Sequence, residues 1–339
     1  MNRNKFLKAA LSIVIAIIVI FFLSKFLDSY QRRVLNLCAV YVILGLSLNL
    51  INGFTGLFSL GHAGFMAIGA YTVGILTMPT ATKELNFFMK PIAPFLLNLN
   101  MPFIFALLTG GLIAALFGFL IGAPVLKLTD DYLAIATLGF SEIIRVIFIN
   151  IQSITNGALG IKGIPQKTNL IWAWGAAIIT IIFMKLLMEG SYGKAFKAIR
   201  EDEIAARSMG ISLFKHKVMS FTLGSFLAGI GGGLLAASLG TIDPALFKFA
   251  LTFNILLIVV LGGMGNINGT VVSAIIITIA MEALRFLDEP MNLGFIQTSA
   301  LPGLRMVVFS LTLMTVVIFK KDSVLKSALE RVRGIYAKN

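Results

Sequence analysis

Two pairs of oppositely charged side chains fall inside otherwise apolar stretches, where ionisable groups are costly and therefore point to function. Glu142 and Arg145 lie three residues apart, and Glu282 and Arg285 repeat this spacing. Residues three apart share one face of a helix, so each pair can neutralise itself. The alternative chemistry is a proton relay through Glu142 and Glu282, as a carrier working alone would use. The spacing leaves both interpretations open.

Other reactive side chains are scarce and scattered. The chain has two histidines, His62 and His216, and one cysteine, Cys38, which we expect to be a passive core residue. These residues do not have the spacing of metal ligands, and serine, histidine and aspartate form no recognisable nucleophilic set. The sequence holds no Gly-x-x-x-x-Gly-Lys-Ser/Thr phosphate loop, so any ATP must be hydrolysed by another polypeptide. We therefore expect no enzymatic activity, metal or bound cofactor in this chain.

One segment mixes glycines with small polar residues, and its members are candidates for contact with a substrate. They are Asn52, Gly53, Thr55, Gly56, Ser59 and His62. Dense glycine lets a helix break and expose its amides and carbonyls to a cavity, which would suit a zwitterion with an aliphatic side chain. The alternative is close helix packing, which we expect at Gly118-x-x-x-Gly122 and Gly229-x-x-x-Gly233. A lone histidine such as His62 is more typical of a hydrogen-bonded packing residue.

The composition indicates which elements must position these groups. Hydrophobic residues make up 58% of the 339 residues and charged residues only 13%, against about 25% charged in soluble domains. A membrane span needs about 20 apolar residues. The predicted spans are 7–27, 34–51, 60–77, 102–126, 132–151, 170–188, 218–239, 249–263, 270–287 and 304–319. We expect an all-α polytopic membrane protein with eight to ten spans, of which 249–263 is short enough to be re-entrant or broken.

The basic residues predict the orientation of these spans. With the N-terminus in the cytoplasm and ten crossings, the cytoplasmic segments carry 16 Lys and Arg residues and the opposite side carries 7. The positive-inside rule then places both termini in the cytoplasm. We expect one transmembrane domain over 1–339, with a long cytoplasmic loop at 189–217 and a basic cytoplasmic tail at 320–339.

A short repeated motif would fit an inverted internal repeat. Asn52-Gly-x-x-Gly56 recurs as Asn156-Gly-x-x-Gly160. The predicted topology places the two copies on opposite sides of the membrane, as inverted repeats require.

The loop 189–217 contains a short helix with its own start and stop signals. Acidic residues at 201–203 suit the helix N-terminus, and Gly210 suits the position just past its end. The two turns between them are too short to persist alone in water. We interpret this helix as a docking element, in which Ala205 and Ala206 allow close approach of a partner. The alternative is a solvated loop helix with an ordinary glycine cap.

Three stretches resemble one known family in the expected order. They are LNLINGFTGLFSLGHAGFMAIGAYT (48–72), DDYLAIATLGFSEIIRV with TNGALGIKGIP (130–146 and 155–165), and SYGKAFKAIREDEIAARSMGI with VVLGGMGNINGTVVSA (191–211 and 259–274). They resemble the LivM-type permease subunit of ATP-binding-cassette importers for branched-chain amino acids. The resemblance covers most of the chain beyond its first span.

The resemblance implies a mechanism for the chain and a set of partner proteins. It implies coupling of Glu203, Ala205, Ala206 and Gly210 to a cytoplasmic ATPase, although the proline common after the glycine in such importers is absent at Phe214. It implies a complex in the bacterial inner membrane with a second related permease, two cassette ATPases and an external amino-acid-binding protein. It favours pairing or a permease interface for the intramembrane ion pairs over substrate contact.

The substrate and the energy source have alternatives. The resemblance implies uptake of leucine, isoleucine and valine, and related permeases take urea or short amides. From a different class of protein, the rival is a proton-coupled secondary carrier that works alone through Glu142 and Glu282.

Overall fold

The computed structural model describes residues 27–128 and 130–285, and beyond them only 291–292, 297–298, 307–308, 310–311 and 314. The chain divides into two units, residues 1–276 and 277–339, which are described separately. The predicted span 7–27 except for its last residue, most of the predicted span 304–319 and the tail 320–339 lie outside the described residues. A single domain over 1–339 stays a prediction.

Helices make up most of the described chain. In order they are α1 (Ser29–Leu48) with a π-helical extension (Asn49–Phe54), α2 (His62–Thr77), α3 (Thr80–Asn86), α4 (Pro94–Leu97), α5 (Phe103–Val125), α6 (Asp130–Asn150), α7 (Gln152–Thr155), a 3-10 turn (Gly157–Leu159), β1 (Ile161–Lys162), α8 (Leu170–Glu189), α9 (Ser191–Glu201), α10 (Glu203–Ser208), α11 (Leu213–Leu239), β2 (Thr241–Ile242), a 3-10 turn (Pro244–Phe247), α12 (Phe249–Gly262) and α13 (Ile267–Ala283). In the second unit, β3 (Met291–Asn292) pairs antiparallel with β4 (Gln297–Thr298).

The lengths of these helices follow from the apolar stretches in the sequence. Among the described residues, five helices are long and apolar enough to cross a membrane: α1 with its extension, α5, α6, α8 and α11. Each predicted span between residues 34 and 287 falls on a helix. The largest differences are at the starts of α1 and α11, each five residues before its predicted span, at Ser29 and Leu213. In α11 three polar residues, Lys215 to Lys217, continue the helix beyond its apolar part.

Glycines bring α2, α5 and α11 into close contact. A Cβ atom at Gly69 of α2 would overlap the backbone of Gly229 on α11, and one at Gly118 of α5 would overlap the Ser225 side chain. At Gly233 of α11 it would crowd Val73 of α2. Backbones can approach this closely only where one side chain is missing. The close packing predicted for the glycine pairs at 118 and 229 is therefore confirmed.

The predicted span 249–263 is a helix that ends in a tight turn. The 14 residues of α12 span about 21 Å at 1.5 Å per residue, which is less than the roughly 30 Å of a bilayer core. Gly263 and Gly265 have φ values of 89° and 77°, which glycine adopts without strain. They turn the chain so that α13 can begin at Ile267. Whether α12 crosses the bilayer fully stays a prediction.

The short connections that contain α3, β1 and β2 contact one another. β1 pairs antiparallel with β2, with Ile161 opposite Ile242. The Asn86 side chain both donates to the Lys162 carbonyl and accepts from the Lys162 amide, each at 2.8 Å. Lys83 is buried, and its Nζ donates to the carbonyls of residues 96 and 97 at the end of α4 and of residue 99 after it.

The two Asn-Gly motifs have different local structures. Asn52 lies in the π-helix, whereas Asn156 adopts a left-handed conformation with φ of 59° between α7 and a 3-10 turn. The Asn156 side chain donates to the Gly160 carbonyl at 2.7 Å, and that of Asn52 pairs with Ser59. The shared letters therefore do not reflect a shared local conformation, and an inverted repeat of the whole fold stays a prediction.

The contact between α2 and α11 yields a stability prediction. In the variant Gly69→Ala the new methyl group meets the Gly229 backbone, which cannot move aside as a side chain could. We expect a loss of about 1–3 kcal/mol, the usual cost of overpacking, seen as a lower thermal unfolding temperature in detergent. The matched control is Gly175→Ala on α8, where nothing lies within 4 Å of the new Cβ. Equal unfolding temperatures for the two variants would contradict this account of the packing.

Candidate functional site

Two short helices, α9 and α10, follow α8 directly and form what we call the surface helix pair. Asp202 separates them with an extended backbone. Its carboxylate accepts hydrogen bonds from the amides of Ile204 and Ala205, at 2.8 and 3.0 Å. A carboxylate at this position satisfies free amides and complements the positive end of the helix. The predicted helix start among the acids at 201–203 is confirmed.

The end of α10 is a glycine cap. Gly210 has φ of 82°, its amide donates to the Arg207 carbonyl at 2.9 Å, and the Ile211 amide donates to the Ala206 carbonyl at 3.1 Å. This hydrogen-bond pattern is a Schellman motif, in which a left-handed glycine satisfies the last carbonyls of a helix. The predicted position of Gly210, just past the helix end, is confirmed.

Contacts with α11 hold this six-residue helix in place. Ala206 is only 3% exposed, and Glu203 forms an ion pair with Lys217 of α11. On α9, the rings of Tyr192 and Phe196 lie 6.0 and 6.2 Å from the His216 ring. A helix too short to persist alone is thereby fixed to a long one, so the pair can move with the membrane-spanning part of the chain.

The outer face of α10 presents apolar side chains to solvent. Ile204 is 80% exposed and Met209 is 83% exposed, and Ala205 and Gly210 are exposed beside them. The structure therefore separates the two predicted alanines, because Ala206 faces its own chain and only Ala205 is free to meet a partner. Sequence reasoning missed Ile204 and Met209, although two large apolar residues in a polar segment were a readable signal.

The candidate pathway residues lie in a break between α1 and α2, which we call the broken segment, residues 49–61. Asn52 and Gly53 are in the π-helix, and Gly56, with φ of 78°, turns the chain. The Asn52 amide group donates to the Ser59 carbonyl and accepts from the Ser59 amide, each at 3.2 Å. Thr55 Oγ1 donates to the Leu50 carbonyl at 3.0 Å. These polar side chains hold the break in shape, and their contact with a substrate stays a prediction.

His62 begins α2 and is buried. Its Nε2 lies 2.6 Å from the Ser47 hydroxyl of α1, and its Nδ1 has no hydrogen-bond partner in the structure. The neighbouring Ala63 amide donates to Thr252 Oγ1 of α12 at 2.9 Å. His62 thus packs where α1, α2 and α12 meet, as expected of a hydrogen-bonded packing histidine.

The surface helix pair contacts the broken segment directly. Arg200 of α9 donates to the Gly53 carbonyl at 3.0 Å, and Lys197 lies 6.0 Å from the centre of the Phe54 ring. The two regions that the sequence singled out separately are therefore adjacent. This adjacency could not be read from the sequence, because the contacting residues are 147 positions apart.

Both of the predicted ion pairs form between residues close in sequence. Arg145 Nε donates to Glu142 Oε2 at 2.7 Å on α6. In the second unit, Arg285 Nη1 lies 3.1 Å from Glu282 Oε1. Both pairs use the i, i+3 spacing read from the sequence.

Comparison with known proteins gives a consistent result. The matching family is described as branched-chain amino acid transport system / permease component, and the match covers residues 31–317. The protein named high-affinity branched-chain amino acid transport system permease protein LivM is 35% identical in Escherichia coli, over 75% of this chain and 63% of the relative. In Salmonella typhimurium it is 35% identical over 74% of this chain and 62% of the relative.

A more distant relative covers more of its own length. The probable branched-chain amino acid transport permease protein LivH of Methanocaldococcus jannaschii is 25% identical over 79% of this chain and 86% of the relative. The chain spans just under two thirds of the length of the two LivM relatives. No solved structure matches it.

The cap of α10 yields a local prediction. Asp202→Ala removes the acceptor of two amide hydrogen bonds, and the loss of such a cap costs about 1 kcal/mol. Because α10 is only six residues long, we expect its amides to exchange with solvent several-fold faster in hydrogen-exchange mass spectrometry. Asp202→Asn keeps an acceptor oxygen and should exchange almost as slowly as the unaltered protein. Unchanged exchange in the alanine variant would contradict the capping role.

Proposed function

The chain belongs to the branched-chain amino acid transport system / permease component family, and we propose that it is the transmembrane permease subunit of an ATP-binding-cassette importer for leucine, isoleucine and valine. It is a multi-pass membrane protein. In this proposal it forms the translocation pathway with a second related permease in the bacterial inner membrane. Two cytoplasmic ATPases drive it, and an external binding protein delivers the amino acid.

The surface helix pair is the observation that carries this proposal. Ile204 and Met209 project from a helix fixed to α11 by Ala206 and the Glu203–Lys217 ion pair. Exposed apolar groups on a clamped element are typical of a protein interface. We assign the contact with the ATPase to Ile204, Ala205 and Met209. Glu203, Ala206 and Gly210 give α10 its position and its sharp end.

Nucleotide chemistry belongs to the partners in this proposal. The chain carries no phosphate-loop sequence, so ATP is bound and hydrolysed by the ATPases. Closure of the ATPases around nucleotide moves the surface helix pair, and the permease then shifts between inward- and outward-facing states. This chain forms the translocation pathway, and its helices change position between the two states.

The proposed topology has ten crossings with both termini in the cytoplasm. The described helices supply the crossings between residues 34 and 287, and the predicted spans 7–27 and 304–319 supply the first and last. The excess of Lys and Arg on the side of the surface helix pair supports this orientation. The broken segment then faces the cytoplasmic side, because Arg200 of that pair contacts Gly53.

The substrate assignment rests on the printed names of the relatives and on the chemistry of the broken segment. Two relatives are named as branched-chain amino acid permeases. The segment combines backbone amides and small polar side chains with apolar neighbours, as a zwitterion with an aliphatic side chain requires. Asn52, Gly53, Thr55, Gly56, Ser59 and His62 remain the proposed pathway residues.

The test is uptake of labelled leucine by vesicles that contain the complete importer, with the variant Ala205→Trp beside it. We expect ATP-dependent uptake that valine and isoleucine compete for and urea does not. The indole should disturb docking and lower uptake on the order of tenfold, equivalent to about 1.4 kcal/mol, with the unfolding temperature unchanged because Ala205 is exposed.

The matched control is Ala81→Trp, the same substitution at an exposed alanine of α3. It should leave the amount of co-purified ATPase unchanged, whereas Ala205→Trp should reduce it. Normal uptake by Ala205→Trp would refute the docking role. Uptake abolished by dissipating the proton gradient while ATP stays high would refute the importer in favour of a proton-coupled carrier.

A further inference from the structure

Arg200 lies where three segments of the chain meet. It is in the last turn of α9 and reaches the broken segment, where its Nη1 donates to the Gly53 carbonyl at 3.0 Å. The same atom lies against Gly265, in the turn between α12 and α13. One side chain therefore joins the surface helix pair to two turns that are more than 200 residues apart in the sequence.

Two glycines leave the space that the arginine occupies. A Cβ at Gly56 would lie 2.9 Å from Arg200 Cγ and 3.2 Å from its Cα, and a Cβ at Gly265 would overlap Nη1. Both glycines have positive φ, at 78° and 77°, a conformation that other residues rarely adopt. The aliphatic stem and the guanidinium thus each lie against a turn that only glycine makes easily.

Asn49 joins the same two turns from the other side. Its Oδ1 accepts from the Gly265 amide at 2.8 Å, and its Nδ2 donates to Thr270 Oγ1 at 2.8 Å and to the Asn266 carbonyl at 3.3 Å. Asn49 is the first residue of the π-helix that holds Gly53. The π-helix and the turn at Gly265 are therefore hydrogen-bonded to each other through Asn49, so a displacement of Gly53 would also displace Gly265.

The chemistry of arginine suits this position. Its planar guanidinium has donors in a fixed fork, and here one branch binds Gly53 while Nε and Nη2 bind the Glu201 carboxylate beside it. Glu201 orients the fork from α9 itself. A lysine, with a single point of attachment, could reach the carbonyl but could not hold both partners in one plane.

We propose that Arg200 is the positioning residue that transmits movement of the surface helix pair to the broken segment and to the Gly263–Gly265 turn. When the pair shifts with its docking partner, Arg200 displaces the Gly53 carbonyl and, through Asn49, the turn that precedes α13. The pathway residues Asn52 to Ser59 move with Gly53. This inference rests on the proposed function, since it concerns how the same docking site drives transport.

The test is the ratio of leucine transported to ATP hydrolysed by the complete importer in vesicles, for Arg200→Met and Arg200→Lys. Methionine keeps most of the stem but removes every donor. We expect it to leave complex assembly and ATP hydrolysis intact and to lower this ratio on the order of tenfold, within the usual range of coupling between sites. Lysine should restore part of the ratio. Lys194→Met, at an exposed cation on the same helix, is the matched control and should keep the full ratio.

Two results would overturn the proposal. In one, Arg200→Met transports leucine with an unchanged ratio, so the contact transmits nothing. In the other, the variant loses assembly, unfolding temperature and ATP hydrolysis together, so Arg200 is only a structural residue. Failure of the proposed function itself would look different, because the unaltered complex would then show no ATP-dependent leucine uptake.

Discussion

The break between α1 and α2 leaves backbone groups that the surrounding helices must satisfy. A backbone amide or carbonyl buried in the protein costs free energy unless it has a hydrogen-bond partner. Between α1 and α2 the amides of Leu57, Ser59, Leu60 and Ala63 find theirs in Ile51 O, Asn52 Oδ1, Thr137 Oγ1 and Thr252 Oγ1. The small polar residues of this region are therefore explained first by satisfaction of the backbone.

The surrounding helices hold the broken segment in place and connect it to the surface helix pair. Glycine contacts lock α2 to α11, and the Glu203–Lys217 ion pair ties the surface helix pair to the other end of α11. Arg200 adds a second link, from the pair directly to Gly53. A partner bound to the exposed face of α10 would therefore contact an element that is fixed both to α11 and to the broken segment. Such a connection is what coupling of ATP hydrolysis to transport would require.

Much of this could be read from the sequence, and the exceptions share one cause. The apolar helices between residues 34 and 287 were predictable because bilayer thickness sets the length of apolar stretches, and α10 was predictable because Asp202 and Gly210 are local signals. The π-helix, the burial of Ala206 and the contact of Arg200 with Gly53 were not, because each depends on tertiary packing. The Asn-Gly motif shows the reverse error, since the same letters at 52 and 156 adopt different backbones.

Purification of the chain from its native membrane in mild detergent tests whether it works as one subunit of an ATP-driven importer, as proposed. Mass spectrometry of the intact complex should show two cassette ATPases and a second permease in stoichiometric amounts. Recovery of the chain alone, or as a homo-oligomer without any ATPase, would contradict the account, because the exposed face of α10 would then have no ATPase to bind.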